Sequence, residues 1–151
     1  MSKNLKYKIL KEYEKLLMKA EDIIGNGSTT NMQLEILGKF LFKEKFLGVY
    51  SANTFPHMLN NEMLIINTDP STKSGTHWVS VFKYKNKYYC YDTFNRDIKT
   101  LFSPYLKNKK NIVNANINRD QSFNQNDCGQ RAICWLILAN KYGPNNIIHI
   151  I

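Results

Sequence analysis

Asn126-Asp127-Cys128-Gly129-Gln130-Arg131 leads into Ala132-Ile133-Cys134-Trp135-Leu136-Ile137-Leu138-Ala139, a run that is apolar on all sides. Asn140-Lys141-Tyr142 follows, and Gly143-Pro144 closes the segment. The pattern predicts a helix over 128–142, and a helix apolar all round belongs at the centre of its domain. It carries a cysteine on its first turn, directly after a polar loop. The N-terminal end of a helix holds about half a positive charge, which favours thiolate over thiol. Its orphan N–H groups, that of Cys128 included, are able to hold an oxyanion. Gly129 is expected to leave space for a substrate backbone beside the sulfur. With a base in reach, this is the arrangement of a cysteine nucleophile. The plain alternative is that Cys128 is a small buried residue near a helix start. Cys134, about 240° further round the helix, faces the core, and Cys90 lies within a strand.

Before this helix the pattern is mixed. Leu5, Ile9, Tyr13, Leu16, Leu17, Ala20, Ile23 and Ile24 recur at helical steps, with Lys8, Lys11, Lys15 and Lys19 on another face. Gly25-Asn26-Gly27 ends that helix. Ser28-Thr29-Thr30 offers N-caps for a second one bearing Leu34, Ile36, Leu37, Phe40 and Leu41. Short strands follow at 47–50 and 63–66. A hairpin is predicted from 78–84 and 88–92 around Lys85-Asn86-Lys87. Ile98 to Phe102 reads as a helical turn, Ile112 to Ile117 as a strand, and Ile147 to Ile151 as an edge strand. Helices and strands in this order predict an α+β fold.

At 151 residues and 17.7 kDa the chain has room for one core. No apolar run approaches a membrane span, and the start leads into an amphipathic stretch, so a soluble, unsecreted protein is expected. Three cysteines without metal-ligand spacing argue against a disulfide scaffold or a zinc site and for a reducing compartment. The net charge of +9 draws such a body toward polyanions. Lys, Asn, Ile and Tyr fill about two fifths of the chain, so A/T-rich codons account for part of that lysine excess.

The base has to come from three histidines. His149 lies in the apolar tail and His57 follows Pro56 in a loop. His77 starts the first hairpin strand, beside Trp78, and Asp92 lies at the far end of the same hairpin. A turn centred on Asn86 pairs His77 with Asn95 and Ser80 with Asp92. Direct opposition of His77 and Asp92 needs a turn nearer Tyr84-Lys85, or a bulge. Asp92 would fix the imidazole tautomer and stabilise the imidazolium, whereas Asn95 would do only the first. Asp92 is preferred, with Asn95 as the alternative.

His77-Trp78, Tyr91-Asp92-Thr93-Phe94, Gln121 and Asp127-Cys128-Gly129, in that order, resemble the cysteine proteases of the adenovirus protease (adenain) type, relatives of the SUMO- and ubiquitin-like-protein proteases. Papain-like enzymes proper put the cysteine before the histidine. Phe46-Leu47-Gly48-Val49-Tyr50 with Phe55-Pro56 resembles the viral enzymes' first strand. Ile65-Ile66-Asn67-Thr68 and Gly75-Thr76-His77-Trp78 resemble their approach to the catalytic histidine. The resemblance covers roughly Thr29 to Tyr142. It implies a papain-like, adenain-like fold: a central mixed sheet, a buried helix carrying the nucleophile and an extra N-terminal helix. Residues 1–27 would be that helical extension and 28–151 the protease domain.

The resemblance also implies roles. Cys128 is the nucleophile, His77 the general base and then acid, Asp92 its orienting carboxylate, and Gln121 the oxyanion-hole donor, with Gln125 and Gln130 the residues to be mistaken for it. Cleavage after Gly-Gly or Gly-X-Gly in viral capsid precursor proteins is implied, in the virion and in the host-cell cytoplasm or viral factory, by a monomer. No metal or cofactor is called for. DNA is an expected activator, served by the helix lysines and by Lys107-Asn108-Lys109-Lys110. The stretch leading to Gln121 has no cysteine, so a disulfide-tethered activating peptide is not expected. Two rival readings use the same architecture: an isopeptidase removing ubiquitin-like modifiers, or an acetyltransferase. A third is a basic DNA-binding module in which Cys128 is inert.

Overall fold

The computed structural model describes residues 3–27, 29–68, 77–93, 96–98, 111–115, 127–148 and 150–151. The expectations for Gln121, Gln125, Asn95, His149, the lysines of 107–110 and the remainder of the turn after Ile98 lie outside these residues.

Helix α1 (Lys3–Ile24) buries Ile9, Tyr13 and Ala20 and packs Leu5, Leu16, Leu17 and Ile24 against the core, while Ile23 points outward. Gly25 stops it at φ +80°, with its N–H on the Glu21 carbonyl. Helix α2 (Asn31–Phe42) starts on a capping box. The Gln33 N–H donates to Thr30 Oγ1 at 3.1 Å, and the Thr30 N–H donates to Gln33 Oε1 at 2.9 Å. Its buried face is Leu34, Gly38 and Phe42, four residues apart. The Phe46 ring lies where a Cβ at 38 would stand. Ile36 and Phe40, two of the apolar residues that mark this helix in the sequence, are 65% and 77% exposed. Each stands two residues, about 200°, from the buried row.

The fold is α+β, and among the described residues five strands form one mixed sheet in the order β1 (Phe46–Ser51), β2 (Met63–Asn67), β3 (Trp78–Tyr84), β4 (Lys87–Tyr91), β5 (Ile112–Asn114). The outer pairs β1–β2 and β4–β5 are parallel; β2–β3 and β3–β4 are antiparallel. Lys85 and Asn86 form the hairpin turn, both at positive φ (49° and 65°), as a two-residue turn of the primed type demands. The turn is therefore centred between Lys85 and Asn86, and Ser80 pairs with Tyr91, one step from the expected partner Asp92.

One sheet face carries Leu64, Ile66, Val79, Val81 and Cys90, packed with Met58, Ile98 and Ile112. The other receives helix α3 (Cys128–Tyr142), and α1 shares the same core. Ser80 Oγ donates to the Ala132 carbonyl at 2.7 Å, and Trp135 stacks on Tyr91 with ring centres 5.5 Å apart. These contacts set the start of α3 beside one end of the sheet. A short helix, α4 (Pro144–Ile147), runs into the tail expected as an edge strand over 147–151, and no strand occurs among the tail's described residues. Pro144 at the first helical position favours that outcome.

Candidate active site

Residue 77 ends the approach to β3, and its carbonyl accepts the Thr68 N–H at 3.1 Å, which ties it to the end of β2. Continuing the hairpin register one step sets Val79 opposite Asp92. His77 is then the diagonal neighbour of Asp92 on one face, within reach of a long side chain. The one-step change of register, from a turn centred on Asn86 to one centred between Lys85 and Asn86, is what puts the two residues on one face, and no bulge is needed. His77 Nε2 lies 2.6 Å from Asp92 Oδ1, with both residues buried.

Asp92 Oδ2 accepts from Arg96 Nε at 2.7 Å and from the Arg96 N–H at 3.3 Å. Burial alone would raise the Asp92 pKa. The hydrogen bonds and positive charge of His77 and Arg96 outweigh it and hold the carboxyl at about 2. This anionic Asp92 selects the tautomer with hydrogen on Nε2 and the lone pair on Nδ1. Arg96 is a site residue that the sequence reading missed. Asp92 and Arg96 stand four apart, but no helical periodicity surrounds them to make that spacing a signal.

Cys128 opens α3 with 8% exposure. Its sulfur is met by the backbone N–H groups of Trp78, Gly129 and Cys128 itself, all of which pull its pKa down. Burial outweighs them, the Asp127 carboxylate adds to it, and the thiol is raised above its ordinary value. The helix terminus therefore supplies donors, as expected, yet in this buried setting it does not yield a thiolate unaided. Asp127 makes no side-chain cap and pairs with Arg131 Nε at 3.0 Å. The three cysteines form no disulfide. Burial drives the Cys90 thiol far up and that of Cys134 up to about 12, and among the described residues backbone donors meet the sulfur of Cys128 alone of the three.

The structure thus brings together the Trp78 peptide, which directly follows His77, the His77–Asp92 pair and the Cys128 sulfur. Gln121 lies outside the described residues. Gln130 is fully buried, and its Nε2 donates to the carbonyls of Gly25 and Gly27. The space at Gly129, expected for substrate, is filled by the Thr29 side chain and Leu34. An open cleft of about 380 Å³ lies next to it, between Thr29, Thr30 and Asn31 on one side and Tyr50, Asn67 and Trp78 on the other.

A second groove, of about 470 Å³, is lined by Tyr7, Lys8, Lys11, Glu12, Lys15 and Lys141. Lys11 sits over the Tyr7 ring, and Lys141 pairs with Glu12 at 2.6 Å. Among the described residues no cluster of His, Cys, Asp and Glu is suited to a metal ion, and no helix is long and apolar enough to cross a membrane. No protein-family model matches the chain, and no curated protein matches it.

Proposed function

We propose that this chain is a cysteine endopeptidase with Cys128 as nucleophile, His77 as base and Asp92 as its orienting carboxylate. One observation carries the reading: a buried His–Asp pair 2.6 Å apart ends at the Trp78 peptide, whose N–H meets the sulfur of a cysteine at a helix start. A raised thiol needs a base at the moment of attack, and the lone pair on His77 Nδ1 is that base.

Cys128 passes its proton to His77 as sulfur bonds to the scissile carbonyl carbon. The tetrahedral oxyanion is stabilised by the Cys128 N–H and, on the resemblance, by Gln121. His77 then protonates the departing amine, the C–N bond breaks and a thioester remains. Water, losing its proton to His77, hydrolyses that thioester and restores the thiol. Asp92 keeps the imidazole oriented and stabilises its cationic form in both halves.

The papain-like, adenain-like fold, cleavage after Gly-Gly or Gly-X-Gly, capsid precursors as substrates and action in the virion or viral factory are proposed on the resemblance. The lysine-lined groove supports a polyanion such as DNA as the activating partner. Turnover of fluorogenic peptides ending in Gly-Gly, Gly-Ala-Gly and Ala-Ala, with and without DNA, tests this reading. Turnover abolished in Cys128→Ala is expected. Turnover confined to folded ubiquitin-like conjugates or to acetyl donors would transfer the site to the rival chemistries. Unchanged turnover in Cys128→Ala would end the proposal.

A further inference from the structure

Gln130 stands two residues after Cys128, and its Nε2 donates to the Gly25 carbonyl at 2.5 Å and the Gly27 carbonyl at 3.0 Å. Next to it, the Thr29 hydroxyl and Leu34 lie so close to Gly129 that a Cβ there would collide with the hydroxyl. Thr29 and Thr30 also line the 380 Å³ cleft beside Trp78. The chain joining α1 to α2 is therefore bound to the nucleophile's helix on one side and borders the cleft on the other.

These two attachments differ in what they hold. Helix α3 is fixed by contacts that do not involve Gln130. They are the Ser80–Ala132 hydrogen bond, the Trp135–Tyr91 stack and, at its far end, Lys141 and Tyr142 on Glu12. The connection is pinned at its ends by the Gly25 N–H on Glu21 and by the Thr30 cap of α2. Removing the Gln130 amide thus frees the connection and leaves the sulfur where it is. We infer that Thr29 and Thr30 form a wall of the peptide-binding cleft, and that Gln130 is a positioning residue that fixes this wall. This inference rests on the peptidase reading and adds to it the element that receives an extended peptide.

The test uses the full chain and a peptidyl chloromethyl ketone ending in Gly-Gly, whose chloride the Cys128 sulfur displaces to form a thioether. Iodoacetamide, too small to need the cleft, is the control. In Gln130→Met the half-saturation concentration for the peptide reagent rises about tenfold, as the loss of two neutral hydrogen bonds allows. Its limiting rate and its iodoacetamide rate stay within about twofold of wild type. Thr29→Ala, with the tether intact, gives the same signature and decides the matter if Gln130→Met melts early. An unchanged half-saturation in both variants would overturn the inference. So would a joint fall of the limiting and iodoacetamide rates in folded protein, since that places the effect on the nucleophile. Wild type that reacts with the peptide reagent no faster than with iodoacetamide, and without saturation, would instead remove the peptidase reading, and this inference with it.

Discussion

The Asp92 carboxylate accepts from His77 through one oxygen and from Arg96 through the other, with no exposure to solvent. Both of its oxygens are hydrogen-bonded, and its shape would be kept by asparagine. Asp92→Asn should lower kcat by about 10⁴, because the imidazole loses its tautomer control and the imidazolium its counter-charge. A fall of less than tenfold would show that Asp92 does not serve His77. The pH dependence follows from the carboxyl sitting at about 2, below its ordinary 3.8. The folded state binds fewer protons than the unfolded one in that window. The stabilisation is complete above about pH 5 and is lost as the pH falls toward 2. Arg96→Gln weakens the downward pull, so the acid limb of the melting-temperature profile should move to higher pH. An acid limb in the same place would deny Arg96 that role. The thiols make a separate prediction: iodoacetamide should label Cys128 in the native protein and reach Cys90 and Cys134 only in denaturant.

In helix α2 the row Leu34, Gly38 and Phe42 packs against the sheet, and Gly38 is in contact with the Phe46 ring. Gly38→Ala gains helix propensity but forces that ring aside, so a net loss of about 1–3 kcal/mol is expected in urea unfolding. A gain in stability would mean that the ring yields freely. Helix α2 also marks where the sequence was hard to read. Helix α3 and the hairpin were legible because their apolar patterns run unbroken into glycine or a polar turn. In α2, apolar residues at 32, 36 and 40 compete with those at 34 and 42. Only the fit of a side-chain-free position against Phe46 decides between them. The same holds for Gly129, whose vacant side is taken by Thr29, a hundred residues away in the chain.

Across the molecule the readings divide by range. The His77–Asp92 pair was visible because both residues belong to one hairpin, whose turn sets their register. Arg96, four residues from Asp92, was not, since no periodicity surrounds the two, and the burial of Cys128 stood only as an alternative, since it depends on strands that folding brings to the helix. Helix α1 shares its core with α3, and Glu12 reaches Lys141 and Tyr142 at the end of that helix. Its outer lysines supply the prediction about charge. Replacing Lys8, Lys11 and Lys15 with Gln should reduce the log–log salt slope of DNA binding by about 2 to 3. An unchanged slope would show that this groove does not touch phosphate.

The central claim is that His77 activates Cys128. Its most direct measurement is the rate of Cys128 alkylation by iodoacetamide near pH 7, followed by mass in wild type and in His77→Ala. A base acting on a buried, raised thiol predicts a loss of about 100-fold in the variant. Equal rates in two folded proteins would contradict the claim, because the sulfur would then owe nothing to the imidazole.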